Sequence, residues 1–327
     1  MQVLEVTRPG ELPPGALQGA EPQLLRGLVA HWPLVQEAAD PAAVAARLRA
    51  HWRGATVGVW RAPPQAGGRF FYTDDFRGFN FSREIHPFPA VLDELLALQS
   101  AAAPPALYMG STTLDTCLPG LGAELPLALD VPEPLASLWL GNRACVATHQ
   151  DWPDNLACVL AGRRRFTLFP PDCVADLYIG PLDLTPAGQP VSLVDARAPD
   201  LQRFPRFAAA QARAQVVELA PGDALYIPSL WWHQVEALEP FNLLLNHWWR
   251  RGPTWADSPM QALWLALATV RDLPAAERQA WRALFDHYVF DAPEPTHIPA
   301  HARGPLAPLD EAGMRRLRAL LLNRLNR

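Results

Sequence analysis

The sequence predicts a mainly β fold with flanking helices, closed by a helical C-terminal segment, and three observations carry that expectation. Its 35 prolines fall between short apolar stretches rather than in one low-complexity block, which suits many short strands and turns better than long helices. From about residue 106 to 250 short β-rich stretches alternate with turn signals such as Pro170-Pro171-Asp172 and Pro221-Gly222-Asp223. Beyond about residue 253 the apolar residues recur at helical spacing.

Taken in order, residues 1 to about 105 read as mixed. Ala42 to Trp52 has helical composition, Ala55 to Trp60 reads as a strand, and Pro87 to Leu98 reads as a helix. Candidate strands of the β-rich region are Ser137 to Leu140, Leu156 to Leu160, Arg165 to Phe169, Val216 to Leu219, Ala224 to Ile227 and Asn242 to Trp248. In the C-terminal part, Ser258-Pro259-Met260-Gln261 supplies a cap, a first-turn Pro and a Gln three residues after the cap, a capping-box start. Pro274 opens a second helix with Trp281, Leu284, Phe285 and Tyr288 on one face. A last helix over about 310 to 326 aligns Met314, Leu317, Leu321 and Leu325. Those faces either cover the core or form a homodimer interface. The expected organisation is one large β-rich domain over 1–255, with a mixed N-terminal part, and a helical segment over 256–327.

Half of the 327 residues are hydrophobic and 19% are charged, enough apolar material for one large globular domain with an appendage. A net charge of -5 with scattered basic residues offers no electrostatic footprint for nucleic acid. No apolar run approaches the ~18 residues needed to cross a bilayer, and the start lacks a basic region followed by an apolar core. A cytoplasmic location without membrane partners is therefore expected. Cys117, Cys145, Cys158 and Cys173 form no C-x-x-C pair and read as small buried hydrophobes. Every basic residue is Arg, because the chain contains no Lys.

His149-Gln150-Asp151 places two metal-ligand types two residues apart, so that on an extended strand both side chains face the same way. Alone the motif means little: with nine His and 19 Asp, about half an instance of H-x-D arises by chance. It gains weight from a second element, Pro221-Gly222-Asp223 to Pro228 to His233, where a Gly turn starts a strand, Pro ends it and a His follows. That spacing resembles the second metal motif of cupins, with Leu230 where Gly is commoner. Two His and one carboxylate on one face of an ion form a facial triad that leaves positions open for O2 and a chelating co-substrate. A structural zinc site would need a fourth protein ligand, and no Cys sits at suitable spacing. Asp154 is an alternative carboxylate with worse parity.

The segments Thr148 to Asn155, Gly162 to Pro171 (GRRRFTLFPP), Leu193 to Phe207, Pro221 to Leu238 (PGDALYIPSLWWHQVEAL) and Asn246 to Trp249 (NHWW) resemble the JmjC and cupin-like 2-oxoglutarate oxygenases. The nearest likeness within that family is to the asparaginyl hydroxylase that inhibits hypoxia-inducible factor. The resemblance covers residues 100 to 255 well and the remainder more weakly. It implies a double-stranded β-helix, or jelly roll, with Fe(II) held by His149, Asp151 and His233 and with 2-oxoglutarate as co-substrate. It implies oxidative decarboxylation to succinate and CO2 with hydroxylation of a C–H bond in a protein, peptide or small molecule. Arg164 takes the place of the family's co-substrate anchor, where the planar fork of Arg can grip a carboxylate in two places. Tyr108 matches a Tyr that reaches the same carboxylate, Asn155 and Asn246 match positions near the iron and co-substrate, and Trp248 matches a wall of the site.

Two departures stand out. Val146 occupies the place of a Thr that contacts the co-substrate, and of a substrate-contacting Arg-Gln pair only Gln189 remains nearby. Two other readings stay open: a cupin-type metal enzyme that does not use 2-oxoglutarate, and a degenerate jelly-roll interaction module.

Overall fold

The structure is a computed structural model describing residues 1–326; Arg327, the last residue of the expected helical segment, lies outside them. The chain divides into two compact units, Met1–Arg251 and Gly252–Arg327.

The first unit carries fourteen strands, all named here because their order positions the site. They are β1 (Gln2–Leu4), β2 (Gln23–Leu25), β3 (Thr56–Ala62), β4 (Arg69–Phe70), β5 (Ser82–Pro87), β6 (Ala106–Thr113) and β7 (Leu135–Gly141). There follow β8 (Ala144–Gln150), β9 (Asp154–Ala161), β10 (Arg164–Phe169), β11 (Gln215–Leu219), β12 (Ala224–Ile227), β13 (Trp232–Ala237) and β14 (Asn242–Trp249). One sheet runs β1-β2-β12-β9-β14-β7-β6-β3-β5 and the other β11-β10-β13-β8-β4. Pairing is antiparallel except for β1 with β2 and β4 with β8. The two sheets form the jelly roll that the resemblance implied.

Burial explains which strands the sequence declares. Ala157, Val159, Leu225, Ile227 and Leu244 of the larger sheet pack in one cluster with Phe166, Leu168, Val217 and Leu219 of the smaller. On its other face the larger sheet puts Leu156, Cys158, Leu160, Leu243 and Leu245 against helices Pro41–His51 and Phe88–Leu98, through Val44, Leu48, Phe88, Leu92 and Leu95. All eight residues of β9 are consequently buried, and a strand covered on both faces reads as a near-continuous apolar run. The helix at Pro41 begins with Asp40, whose carboxylate accepts from the N–H groups of Ala42 and Ala43 ahead of a first-turn Pro.

Gly162 turns β9 into β10 with φ of 69°, and a Cβ there would sit 2.5 Å from the Phe241 carbonyl oxygen. Only glycine fits that close, left-handed turn. The turn fixes which of three consecutive arginines points inward. Arg163 pairs with Glu239 and Arg165 with Glu218 at the surface, while Arg164 is buried. The four cysteines are free and buried, as expected.

In the second unit helices span Pro259–Thr269, Ala275–Phe285 and Glu311–Leu325. Two local expectations are corrected. The Ser258 hydroxyl accepts from Met260 N–H rather than from Gln261, whose N–H goes to the Ser258 carbonyl, so the cap forms with a tighter turn than the anticipated box. Tyr288 belongs to a π-helical turn, Asp286–Asp291, in which the α-helical face of Trp281 and Leu284 does not continue. Among the described residues no helix is long and apolar enough to cross a membrane.

Candidate metal centre

The three proposed ligands meet. One ligand atom from each of His149, Asp151 and His233 lies within 4.8 Å of the others, and this is the one His/Cys/Asp/Glu group of that kind among the described residues. The sheet brings them together: His149 near the end of β8 and His233 near the start of β13 are direct cross-strand partners, with ring centroids 4.4 Å apart. Asp151 follows the end of β8, and its carboxylate lies 3.7 Å from His233 Nε2. The carbonyl of Asp151 accepts from Leu230 N–H at 2.8 Å, which ties the two motifs at backbone level.

Each imidazole is oriented by its own strand. His149 Nδ1 donates to the Ala147 carbonyl and His233 Nδ1 to the Trp231 carbonyl, both at 2.9 Å. A carbonyl only accepts, so Nδ1 carries the proton and the Nε2 lone pair faces its partners. Burial, reinforced by the neighbouring His149, holds the His233 imidazole well below its ordinary range against the opposing pull of Asp151. It is therefore neutral at pH 7, the form that ligates. Two imidazoles and a carboxylate, with no fourth His, Cys or carboxylate converging among the described residues, suit a divalent transition ion with open positions.

Asp154 is not a competitor. Its buried carboxylate is consumed by Tyr226 Oη at 2.8 Å, Ser229 N–H at 3.2 Å and Arg251 Nε at 2.8 Å.

Beside the triad lies a cavity of about 700 Å³, walled by Trp60, Tyr108, Trp139, Val146, His149, Asp151 and Trp248 and by the loop from Thr185 to Gln189. Arg164 is only 2% exposed. One N–H reaches the Trp139 carbonyl at 3.5 Å and its Nε has no partner. Burial pushes this guanidinium down to about 10, the nearby Tyr108 opposing, so it remains a cation. Burial drives the Tyr108 phenol far up, so it remains a neutral donor. Asn246 Nδ2 donates to Asn155 Oδ1 at 2.7 Å, and Asn155 is the cross-strand partner of Trp248. The structure thus places Tyr108 and Trp248 on the cavity wall, with Arg164 and the asparagine pair buried and off that wall.

The sequence reading missed Ser137 and Trp139. Ser137, the cross-strand partner of Asn246, has a buried, unpartnered hydroxyl, and the indole N–H groups of Trp139 and Trp248 are likewise unpartnered. Their only sequence signal was the parity of β7, which puts Ser137 and Trp139 on one face. Buried donors without partners each cost about 1–3 kcal/mol. Trp139 packs against Tyr108 and Trp248 and its carbonyl accepts from Arg164, so its free N–H stands among donors, which fits an anionic, oxygen-rich guest.

Comparison with known proteins agrees with this architecture. The family described as cupin-like domain matches residues 15–254. The human bifunctional peptidase and (3S)-lysyl hydroxylase JMJD7 is 29% identical over 259 residues, covering 70% of this chain and 77% of that protein. The rat HSPB1-associated protein 1 is 37% identical over 117 residues, 35% of this chain. The lysine-specific demethylase JMJ31 of Arabidopsis thaliana is 33% identical over 130 residues, 39% of this chain. The matched stretch spans only 23% of the length of each of these last two proteins.

Proposed function

Because the chain belongs to the cupin-like domain family, we propose that it is an Fe(II)- and 2-oxoglutarate-dependent oxygenase, hydroxylating a C–H bond of a protein, peptide or small molecule. The observation that carries this reading is a two-His, one-carboxylate triad beside a cavity of about 700 Å³, next to a buried Arg that lacks a carboxylate partner. Relatives named as hydroxylase and demethylase support the same class. The likeness to an asparaginyl hydroxylase is not carried to the residue hydroxylated.

In this reading His149 Nε2, His233 Nε2 and an Asp151 oxygen hold the iron, which together with O2 and 2-oxoglutarate supplies the oxidising power. The protein contributes position. The Ala147 and Trp231 carbonyls lock the imidazoles, so that the triad is formed before the ion arrives. Arg164 and Tyr108 would hold the far carboxylate of the co-substrate, one by charge and the other by a neutral O–H. Ser137 would supply the hydroxyl that is missing where Val146 replaces a Thr. Trp139 and Trp248 wall the cavity and exclude water. For the whole molecule, the exposed apolar side chains of the last helix, among them Leu321 and Leu325, support a homodimer.

An anaerobic titration with Fe(II) and 2-oxoglutarate tests the proposal: a weak visible charge-transfer band should appear, and Asp151→Ala should abolish both the band and iron-dependent succinate formation. Iron binding without the band would favour a metal enzyme that does not use 2-oxoglutarate, and failure to bind iron would favour an interaction module.

A further inference from the structure

We infer that Arg83 selects the substrate, and that the substrate presents a carboxylate beside the bond to be oxidised. The inference deepens the oxygenase reading of the same cavity and rests on it.

Arg83 sits on β5, the edge of the larger sheet, directly opposite Trp60 of β3, which is in turn opposite Tyr108 of β6. Cross-strand partners share a face, so Arg83, Trp60 and Tyr108 form one row from the sheet edge inward, and all three line the cavity. The guanidinium lies 5.7 Å from the Trp60 ring, 5.4 Å from Phe79 and 5.8 Å from Phe81. That aromatic shelf holds a cation without neutralising it. One N–H is committed to the Pro186 carbonyl. A guanidinium has five donors, and no carboxylate among the described residues takes the others: adjacent Glu84 is engaged by Arg61 and His86.

The charge of the wall then decides the chemistry. Among the lining residues the only charged side chains are Arg83 and Asp151, and Asp151 belongs to the triad. A basic substrate group would enter past a fixed cation and find no free anion. A carboxylate would gain a charge-assisted hydrogen bond worth roughly tenfold or more in affinity. The same carboxylate could come from an acidic peptide or from a free acid.

The test uses the metal-free protein, so it does not depend on turnover. Acetylated, amidated hexaglutamate, hexaglutamine and hexalysine are titrated against intrinsic tryptophan fluorescence, with N-acetylglutamate as the free-acid arm. Hexaglutamate should bind about tenfold more tightly than hexaglutamine, R83A should bring the two within about twofold, and R83E should make hexalysine the tighter ligand. Competition by N-acetylglutamate at equal concentration assigns a free acid, and its failure to compete assigns a peptide. The inference is overturned if hexalysine binds the unaltered protein as well as hexaglutamate does, or if hexaglutamate shows no binding. It also falls if R83A weakens hexaglutamate and hexaglutamine equally, which would make Arg83 only a pin for the loop at Pro186. The Fe(II) and 2-oxoglutarate band, measured separately, reports failure of the oxygenase reading.

Discussion

Leu230 donates its backbone N–H to the carbonyl of Asp151 while its own φ stands at 66°. A branched side chain in the left-handed region is strained by about 1–3 kcal/mol, yet this residue joins the segment that leads into His233 to the residue that supplies the carboxylate.

Leu230→Gly should relieve that strain and keep the hydrogen bond. Leu230 is 43% exposed, so little packing is lost, and a gain of about 0.5–1 kcal/mol is expected after the entropic cost of Gly. Urea unfolding measures it; a loss of stability would mean that the Leu side chain packs more than its exposure indicates. Leu230→Pro removes the donor and should weaken metal binding, read by Fe(II) or Mn(II) titration.

Arg164 gives a prediction whose two halves have opposite sign. Its charge is buried without a counter-ion, so Arg164→Met should stabilise the ligand-free protein, by on the order of 1–3 kcal/mol. The same change should raise the apparent KM for 2-oxoglutarate on the order of a hundredfold, since a buried charged partner is lost. Thermal melting and succinate assays check the two halves. An unchanged KM would move the anchor to another residue.

His247 predicts a pH effect. Burial pushes its imidazole down to about 4, and its Nε2 is buried without a partner. As pH falls, the unfolded chain takes up this proton near 6.5 while the folded chain resists until about 4. The stability contributed here is thus complete above ~6.5 and is lost between there and about 4. His247→Gln should flatten the pH dependence of unfolding over that window, by a few kcal/mol at most. An identical slope in both proteins would place the titration elsewhere.

The last helix exposes Leu320, Leu321, Leu322 and Leu325. Light scattering should give twice the chain mass, and Leu321→Glu with Leu325→Glu should give the monomer. A monomeric unaltered protein would refute the homodimer.

What the sequence disclosed follows from burial. β9 and β12 were legible because both are lined with apolar residues. β8 and β13, which carry the two histidines, were not read as strands, because their buried positions include Thr148, His233, Gln234 and Glu236. The triad was found by motif spacing rather than by periodicity. The resemblance singled out Arg164 from its two neighbours, and the Gly162 turn, by fixing the parity of β10, makes it the buried one of the three. Ser137 and Trp139 stayed hidden because an isolated Ser or Trp in an apolar strand looks the same whether or not its polar atom has a partner.

The imidazoles of His149 and His233 are steered by main-chain carbonyls, which no substitution can replace with a different chemical group. The pedestal on which a metal would rest is therefore heritable independently of its surroundings. Side chains around the cavity can drift through mutation, retuning what enters, while the grip beneath them stays constant.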